Sequence, residues 1–178
     1  GVCVWGTGFP VNTNGSGYLN LYSFTGGNDG GNPVSGLVLS GRMLYGTAYY
    51  GGSSGNGVAF AVTTNGTGYT LLHTFTALSG GSNTNDDGAA PNAGLMLSGD
   101  TLFGTSLGGG GAGYGTVFGV HIDGTGFTPL RYFTGGDDGP NPGGGFIVSG
   151  NNRHGRRLKS LSRASATAFS VSLCPRMA

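Results

Sequence analysis

The stretch that decides the fold is GVAFAVTTNGTGYTLLHTFT, residues 57–76. It places an Asn-Gly pair, Asn65-Gly66, between two runs rich in β-branched and aromatic residues, which is the strongest short-range signal for a β-hairpin. The same pattern occurs twice more, at residues 7–25 (TGFPVNTNGSGYLNLYSFT) and at residues 116–134 (TVFGVHIDGTGFTPLRYFT). The chain is therefore built from a repeated hairpin.

The hairpins belong to a longer repeat. Phe9, Phe60, Phe118 and Phe169 follow one another at spacings of 51, 58 and 51 residues. The seven extra residues of the middle spacing fall within one loop, residues 76–94, and loops tolerate insertions at small cost. A regular period of this length indicates a stacked or radial repeat fold.

The composition favours β-structure. Among 178 residues there is no Glu, no Gln and only one Lys, which are strong helix formers, whereas Val, Thr, Tyr and Phe are frequent. The 41 Gly residues recur in register with the repeat, and aromatic residues make up 11% of the chain. These features indicate a folded all-β protein rather than a disordered one.

Each repeat is expected to hold four short strands. The first is an apolar run, residues 36–41 and 94–99, which we predict to be buried on both faces. The second covers residues 42–50 and 100–107 and contains a glycine in register, Gly46 in the first copy, which indicates close approach of a neighbouring group. The hairpin supplies the third and fourth strands.

The fourth strand indicates where the sheet ends. Leu72 and Phe75 lie three residues apart and are therefore expected on opposite faces, so that both faces are packed. Pro129 lies within the third copy of this strand, and proline is tolerated at a sheet edge. We predict an all-β, β-propeller-like fold over residues 1–150, with about three four-stranded blades of a ~50-residue period in a partial or open ring.

The two ends depart from the repeat. The sequence begins partway through a unit, at Gly1, and its units fall short of the roughly four blades that a propeller needs. We therefore expect the chain to be part of a longer one or to self-associate through open blade edges. Residues 151–178 form a degenerate, basic partial repeat, expected to be poorly ordered apart from one strand near residues 168–173.

Residues 1–150 and residues 151–178 also differ in net charge. Residues 1–150 hold seven Asp and two Arg, a net charge of −5, so no nucleic-acid partner is expected. Residues 151–178 hold the other six basic residues and no acid, which we interpret as a solvated end. No apolar run approaches the ~18 residues of a membrane span, and the sequence contains no signal peptide.

One aspartate recurs in the loop before each apolar run: Asp29, Asp87 and Asp138. Carboxylate oxygens in a Gly-rich loop suit Ca²⁺, so these three residues are candidate metal ligands and Ca²⁺ is the one candidate cofactor. The alternative, which we favour, is an Asx-turn, in which Asp satisfies the backbone of its own loop. None of the loops matches a complete calcium motif.

The sequence contains no catalytic constellation. His73 and His121 lie within strands, and neither has a partner column of carboxylates or thiols. With no Glu, and with Asp mostly in turns, the clustered acids of a glycosidase are missing. Three tyrosines beside the Gly-rich loops suit either stacking on sugars or packing within the sheets: Tyr49, Tyr50 and Tyr114.

The ordered combination SGLVLSG, LYGT and GNGVAFAVTTNGTGYTLLHTFT, followed by DG and a proline, resembles the GloVer-type glycine-rich tandem repeat of bacterial surface proteins over residues 1–150. The resemblance implies an exported β-propeller of the extracellular space or the cell surface, and it supplies no functional residues.

These observations lead us to expect a non-enzymatic module that binds a protein or glycan ligand through its loops. Two alternatives stay open. One is a fragment of a propeller enzyme, such as a lyase or glycosidase, whose catalytic blades are missing. The other is a purely structural spacer.

Overall fold

The structure, a computed structural model, describes residues 6–8, 20–147 and 169–170. Within these residues every regular element is a β-strand, and no helix is present that could cross a membrane. β1 (Thr7–Gly8) and β2 (Tyr22–Ser23) form a two-stranded antiparallel sheet. They are the ends of the first predicted hairpin, whose turn lies outside the described residues.

The first complete sheet is an antiparallel meander of four strands in chain order. Its strands are β3 (Val38–Ser40), β4 (Met43–Ala48), β5 (Val58–Thr63) and β6 (Tyr69–Thr74). β5 and β6 are the predicted hairpin of residues 57–76. In its turn Gly66 N donates to Thr63 O, Gly66 has a φ of 74°, and Asn65 Oδ1 accepts from Thr67 N. The Asn-Gly pair therefore makes the turn, as predicted.

The second complete sheet follows one unit later. Its strands are β7 (Ala89–Pro91), β8 (Met96–Ser98), β9 (Thr101–Gly108), β10 (Thr116–His121) and β11 (Thr128–Tyr132). β7 and β8 pair with opposite ends of β9, so they act as one interrupted edge strand, and β11 forms the other edge.

A third unit contributes β12 (Phe146–Ile147), which pairs in parallel with β13 (Phe169–Ser170). β13 falls within residues 168–173, for which the sequence predicts a strand. The rest of residues 151–178 lies outside the described part of the chain, so the low order predicted for that tail stays a prediction.

The first complete sheet is packed on both faces. On β5, Phe60 lies in a buried cluster with Phe24, which directly follows β2 at the end of the first hairpin. Its neighbours along the strand, Ala59 and Ala61, lie in a second buried cluster with Phe118 of β10. Successive side chains of a strand point to opposite faces, so the large residues meet the preceding unit and the small residues admit the following one.

The ring of Phe118 lies against the backbone of the adjacent strand at Gly104. A Cβ atom on Gly104 would stand 2.5 Å from Phe118 Cζ and 2.8 Å from Leu95 Cδ2. One unit earlier, a Cβ atom on Gly46 would stand 2.9 Å from Phe60 Cζ. The glycine column that the sequence predicts at a crowded position is therefore the space that each phenylalanine ring occupies.

The prediction that Leu72 and Phe75 lie on opposite faces is wrong. Both residues belong to the same buried cluster, which faces the following unit. The reason is a β-bulge: Ala59 pairs with His73, but the next residue of β5 pairs with Leu71, so Leu72 has no partner. An extra residue in one strand interrupts the alternation of side chains.

The prediction that the apolar first strand is buried on both faces is also wrong. Leu39 in β3 is 61% exposed. β3 and β8 are each three residues long and lie at a sheet edge, whereas the interior strands β5 and β10 are almost wholly buried. Pro129 lies in the opposite edge strand, β11, as predicted.

We expect Gly104→Ala to lower the free energy of unfolding by about 1–3 kcal/mol, because the new methyl group overpacks against Phe118. Gly111→Ala is the matched control, since no atom lies within 4 Å of a Cβ atom there and its φ is not left-handed. Urea denaturation of both variants measures the difference. Equal stability of the two would contradict the packing described for Gly104.

Candidate functional site

A groove opens where the loops after β4 and β9 meet, at the seam between the two complete sheets. Its volume is about 500 Å³, within the range of small-molecule sites. Residues of the loop 49–56 line it from the first sheet, and residues 107–113, at the end of β9 and in the loop that follows, line it from the second. Ala90 of β7 and Asn83 of the inserted loop also line it.

A backbone hydrogen bond joins the two sheets beneath the groove, and a side-chain bond anchors its acceptor within the first sheet. Ala90 N donates to Asn56 O at 2.8 Å, which ties β7 of the second sheet to the Gly-rich loop of the first. Asn56 Nδ2 in turn donates to Thr76 O at 2.6 Å. The groove is therefore a property of the seam, and neither unit could form it alone.

The insertion changes how the loop beside the groove is closed. In the first unit Gly27 O accepts from Gly30 N and Gly52 N. In the second unit the side-chain oxygen Asn85 Oδ1 accepts from the two matching glycines, at 2.9 and 2.8 Å. A side-chain amide thus replaces a backbone carbonyl, which lets residues 77–84 leave the path of the repeat without leaving these N–H groups unpaired.

Ala90 holds a left-handed backbone conformation, with a φ of 55°. The residues in register with it are Asn32, with a φ of 57°, and Asn141, with a φ of 56°. Asparagine tolerates this conformation, whereas it costs a residue such as alanine about 1–2 kcal/mol. The seam therefore carries a strained residue with a very small side chain at the position where the neighbouring units carry an amide.

The groove is uncharged, and most of its lining surface is apolar. None of the described residues that line it carries a formal charge. Tyr50 is 48% exposed and packs edge to face against Tyr49, with ring centroids 4.5 Å apart. Asn83 and Asn141 are exposed and supply amide donors and acceptors. Tyr114, the third tyrosine singled out in the sequence, is 44% exposed and lies outside the groove lining.

The three candidate aspartates each close their own loop. Each accepts hydrogen bonds from the backbone N and the Oγ1 of a threonine: Thr25 for Asp29, Thr76 for Asp87 and Thr134 for Asp138. The threonine lies four positions earlier, or eleven in the unit with the insertion. An Asx-turn would instead join the aspartate to a residue two positions later. We call each Thr–Asp pair a loop clasp.

A side chain of the fourth strand donates to the same aspartate in every clasp. The donors are Tyr22 Oη to Asp29, His73 Nε2 to Asp87 and Arg131 Nη2 to Asp138, at 3.1, 2.9 and 3.1 Å. The interpretation that His73 lacks a partner column of carboxylates is therefore wrong. The column is hard to recognise because three different donor groups, a phenol, an imidazole and a guanidinium, occupy one position.

Two of these donors also contact the next unit. The His73 ring stacks on Phe127, with centroids 3.5 Å apart, and the Tyr22 ring stacks on Tyr69 at 4.2 Å. An ionised carboxylate only accepts hydrogen bonds, so His73 Nε2 carries the hydrogen in its bond to Asp87. The clasps therefore fix the ring of one unit in the orientation that the next unit packs against.

Hydrogen bonding sets the ionisation of the second clasp. Burial raises the pKa of the Asp87 carboxyl, but the bonds from His73 and Thr76 outweigh it and hold that pKa below its usual value. Burial also raises the pKa of Tyr69, whose phenol stays neutral and donates to Asp29 O at 2.6 Å. The second clasp thus holds an ionised carboxylate, whereas Tyr69 at the first clasp is a neutral donor.

The structure places the candidate metal ligands Asp29, Asp87 and Asp138 in three separate clasps. Within residues 6–8, 20–147 and 169–170, no three or more His, Cys, Asp or Glu side chains are arranged to hold a metal ion. Each carboxylate already accepts from several protein donors. Calcium binding at these residues stays a prediction, and its test is given below.

Sequence reasoning singled out Tyr49 and Tyr50 of the groove but missed its other residues, including Ala90, and it also missed Asn85 beside the groove. A signal for Ala90 was available, because the residue before the recurring proline is Asn32 in the first unit and Asn141 in the third, but alanine in the second. A signal for Asn85 was also available, because the residue two positions before the recurring aspartate is Gly27 in the first unit and Gly136 in the third, but asparagine in the second.

Comparison with known proteins places the chain in a repeat family. A model of the family described as the Gloeobacter/Verrucomicrobia repeat matches residues 1–169. The matched range includes all three hairpins, both complete sheets and the groove between them. No curated protein matches the chain.

We expect Asp87→Asn to lower the free energy of unfolding at neutral pH by about 1–3 kcal/mol, because it weakens the charge-assisted bonds from His73 and Thr76. The folded pKa of Asp87 lies below the unfolded value of about 3.9, so this stabilisation is present above about pH 4 and is lost as the pH falls through the folded pKa. Urea denaturation of Asp87→Asn and of the wild type is measured at several pH values from neutral to acidic. The free energies of unfolding of the two proteins should converge as the pH falls.

Asp137→Asn is the matched control for Asp87→Asn. This substitution removes the same charge at an exposed position beside the third clasp. Its free energy of unfolding should stay within about 0.5 kcal/mol of the wild-type value. The difference in free energy of unfolding between Asp87→Asn and the wild type should narrow in acid. If it does not, the carboxylate charge is not what stabilises the clasp.

The clasps predict that Ca²⁺ leaves the melting temperature unchanged, because protein donors already bind the carboxylate oxygens of Asp29, Asp87 and Asp138. Thermal unfolding in excess Ca²⁺, in excess Mg²⁺ and in a chelator measures this. If Ca²⁺ but not Mg²⁺ raises the melting temperature of the wild type, and Asp29→Asn shows no such rise, the result would establish the calcium site instead.

Proposed function

Since the chain belongs to the Gloeobacter/Verrucomicrobia repeat family, we propose that it is a non-enzymatic binding module that takes a glycan or protein ligand at the cell surface or in the extracellular space. The observation that carries the proposal is the groove between two units, where an exposed tyrosine and uncharged amides meet. The surface location rests on the resemblance of its motifs to repeats of bacterial surface proteins.

The packing of the units supports a propeller-like arrangement. Two complete antiparallel sheets lie face to face around one buried cluster, and each follows the same strand order. The chain passes from β6, at one edge of the first sheet, to β7, at the opposite edge of the second. Successive blades of a propeller are connected in this way. Such an arrangement gathers the loops after β4 and β9 at one end, where a ligand can reach several of them.

The chemistry of the groove supports binding rather than catalysis. Its described lining residues contain no carboxylate, imidazole or thiol, the groups that most often act as acid, base or nucleophile. Asp29, Asp87 and Asp138 are committed to the clasps. A glycosidase requires a facing pair of carboxyl groups, so the enzyme alternative has no support from the described residues.

Binding of the labelled full chain to a glycan array and to a panel of extracellular proteins tests the proposal. We expect saturable binding to a restricted set of one of the two classes. Ser54→Ala, in the first Gly-rich loop but outside the groove lining, is the control and should bind as the wild type does. A folded chain that binds neither panel would overturn the proposal and would favour a structural spacer.

A further inference from the structure

We propose that the groove takes an uncharged sugar, with one ring stacked on Tyr50 and lying over Ala90. This inference rests on the proposed binding function and adds to it the class of ligand and the residues of the site. It depends on three features of the groove: its neutrality, its paired backbone and the small side chain at position 90.

The neutrality of the lining determines the class of ligand. A phosphate, a carboxylate or an ammonium group would lose hydration on entry, and no described lining residue offers an opposite charge in return. The exposed ring of Tyr50 offers an apolar face, and the amides of Asn83 and Asn141 offer both donors and acceptors. A neutral sugar ring has the complementary surface, with apolar C–H faces and a rim of hydroxyl groups.

The backbone around the groove disfavours a peptide strand. A peptide that adds to a sheet needs a row of free N–H and C=O groups. Here Ala90 N donates to Asn56 O, and Tyr50 N donates to Gly31 O. Asn141 N, at the far side, donates to Tyr114 O. These three N–H groups are therefore not free to pair with an added peptide strand.

The size of the side chain at position 90 decides whether the groove has room for a sugar ring. Asn32 and Asn141 adopt the same left-handed conformation as Ala90, and asparagine is better suited to it. Ala90 and Asn141 both line the groove, and of the two it is Ala90 that bonds across the seam to the first sheet, through its N–H to Asn56 O. An amide at position 90 would occupy part of the ~500 Å³ space. The chain thus keeps a strained alanine at position 90, where the less strained asparagine would fill part of the groove. Backbone strain of this kind is common at functional sites.

The insertion distinguishes this seam from the preceding one. Leu78 and Asn83 of the inserted loop line the groove, and the first unit has no counterpart to them. The loop is held in place, because Ser79 N donates to Thr84 O at 2.7 Å and Asn85 bonds to its base. One sugar site is therefore expected in the described part of the chain, at the seam that carries the insertion.

Isothermal titration of the full chain tests the site. The probes are four neutral disaccharides (cellobiose, maltose, lactose and chitobiose), digalacturonic acid as a charged sugar, and a proline-rich peptide. We expect at least one neutral disaccharide to bind at a single site. Tyr50→Ala should weaken that binding about tenfold or more. Tyr114→Ala removes a tyrosine of similar exposure outside the groove and should leave binding unchanged.

Two variants at position 90 separate occupancy of the groove from folding. Ala90→Asn installs the side chain of the neighbouring units, so the melting temperature should be unchanged or higher while binding weakens about tenfold or more. Ala90→Gly relieves the same conformation without filling the space, and its affinity should stay within about twofold of the wild type.

The outcomes distinguish this inference from the proposal beneath it. Binding that survives both Ala90→Asn and Tyr50→Ala would overturn the site while the binding function stands. Preference for digalacturonic acid or for the proline-rich peptide would overturn the ligand class in the same way. If the folded chain binds none of these probes but does bind a protein on the panel, the sugar site falls and the binding module remains. If it binds nothing on either panel, both fall.

Discussion

The fold depends on a ring contact made where one unit meets the next. Phe24 lies edge to face against Phe60, with centroids 5.0 Å apart, and Phe75 lies in the same way against Phe118 at 5.3 Å. The ring on the interior strand fits only because a glycine, Gly104 in the second sheet, leaves space beside it. A small sheet with large apolar residues cannot bury them alone, so each unit is stabilised by the stack in which it lies.

Because the seams provide the stability, the loops are free to differ between units. The clasps keep a constant threonine and aspartate but accept three donors, Tyr22, His73 and Arg131, without changing the loop that they close. The insertion at residues 77–84 is absorbed by Asn85, whose side chain replaces a backbone carbonyl. A repeat of this design can therefore change the surface at one seam, where the groove lies, while the packing beneath it is preserved.

The features that the sequence predicts correctly are local or recur in register. Asn65-Gly66 makes its turn, Gly104 lies at a crowded position and Pro129 lies at a sheet edge. Each of these features can be recognised from one short stretch of sequence or from one position compared among the repeats. The errors concern the pairing of strands. The bulge at Leu72 and the exposure of Leu39 depend on which strand lies beside which. The groove could not be predicted because four separate segments of the chain meet there only after the sheets have packed.

A double-mutant cycle between Phe75 and Phe118 tests the packing of the seam most directly. Each residue is replaced by leucine, singly and together, and the free energy of unfolding of the full chain is measured in urea. The ring contact predicts a coupling energy of about 0.5–1.5 kcal/mol between the two sites. Additive effects, within about 0.3 kcal/mol, would show that the rings are not in contact and would contradict the stacked arrangement of the units.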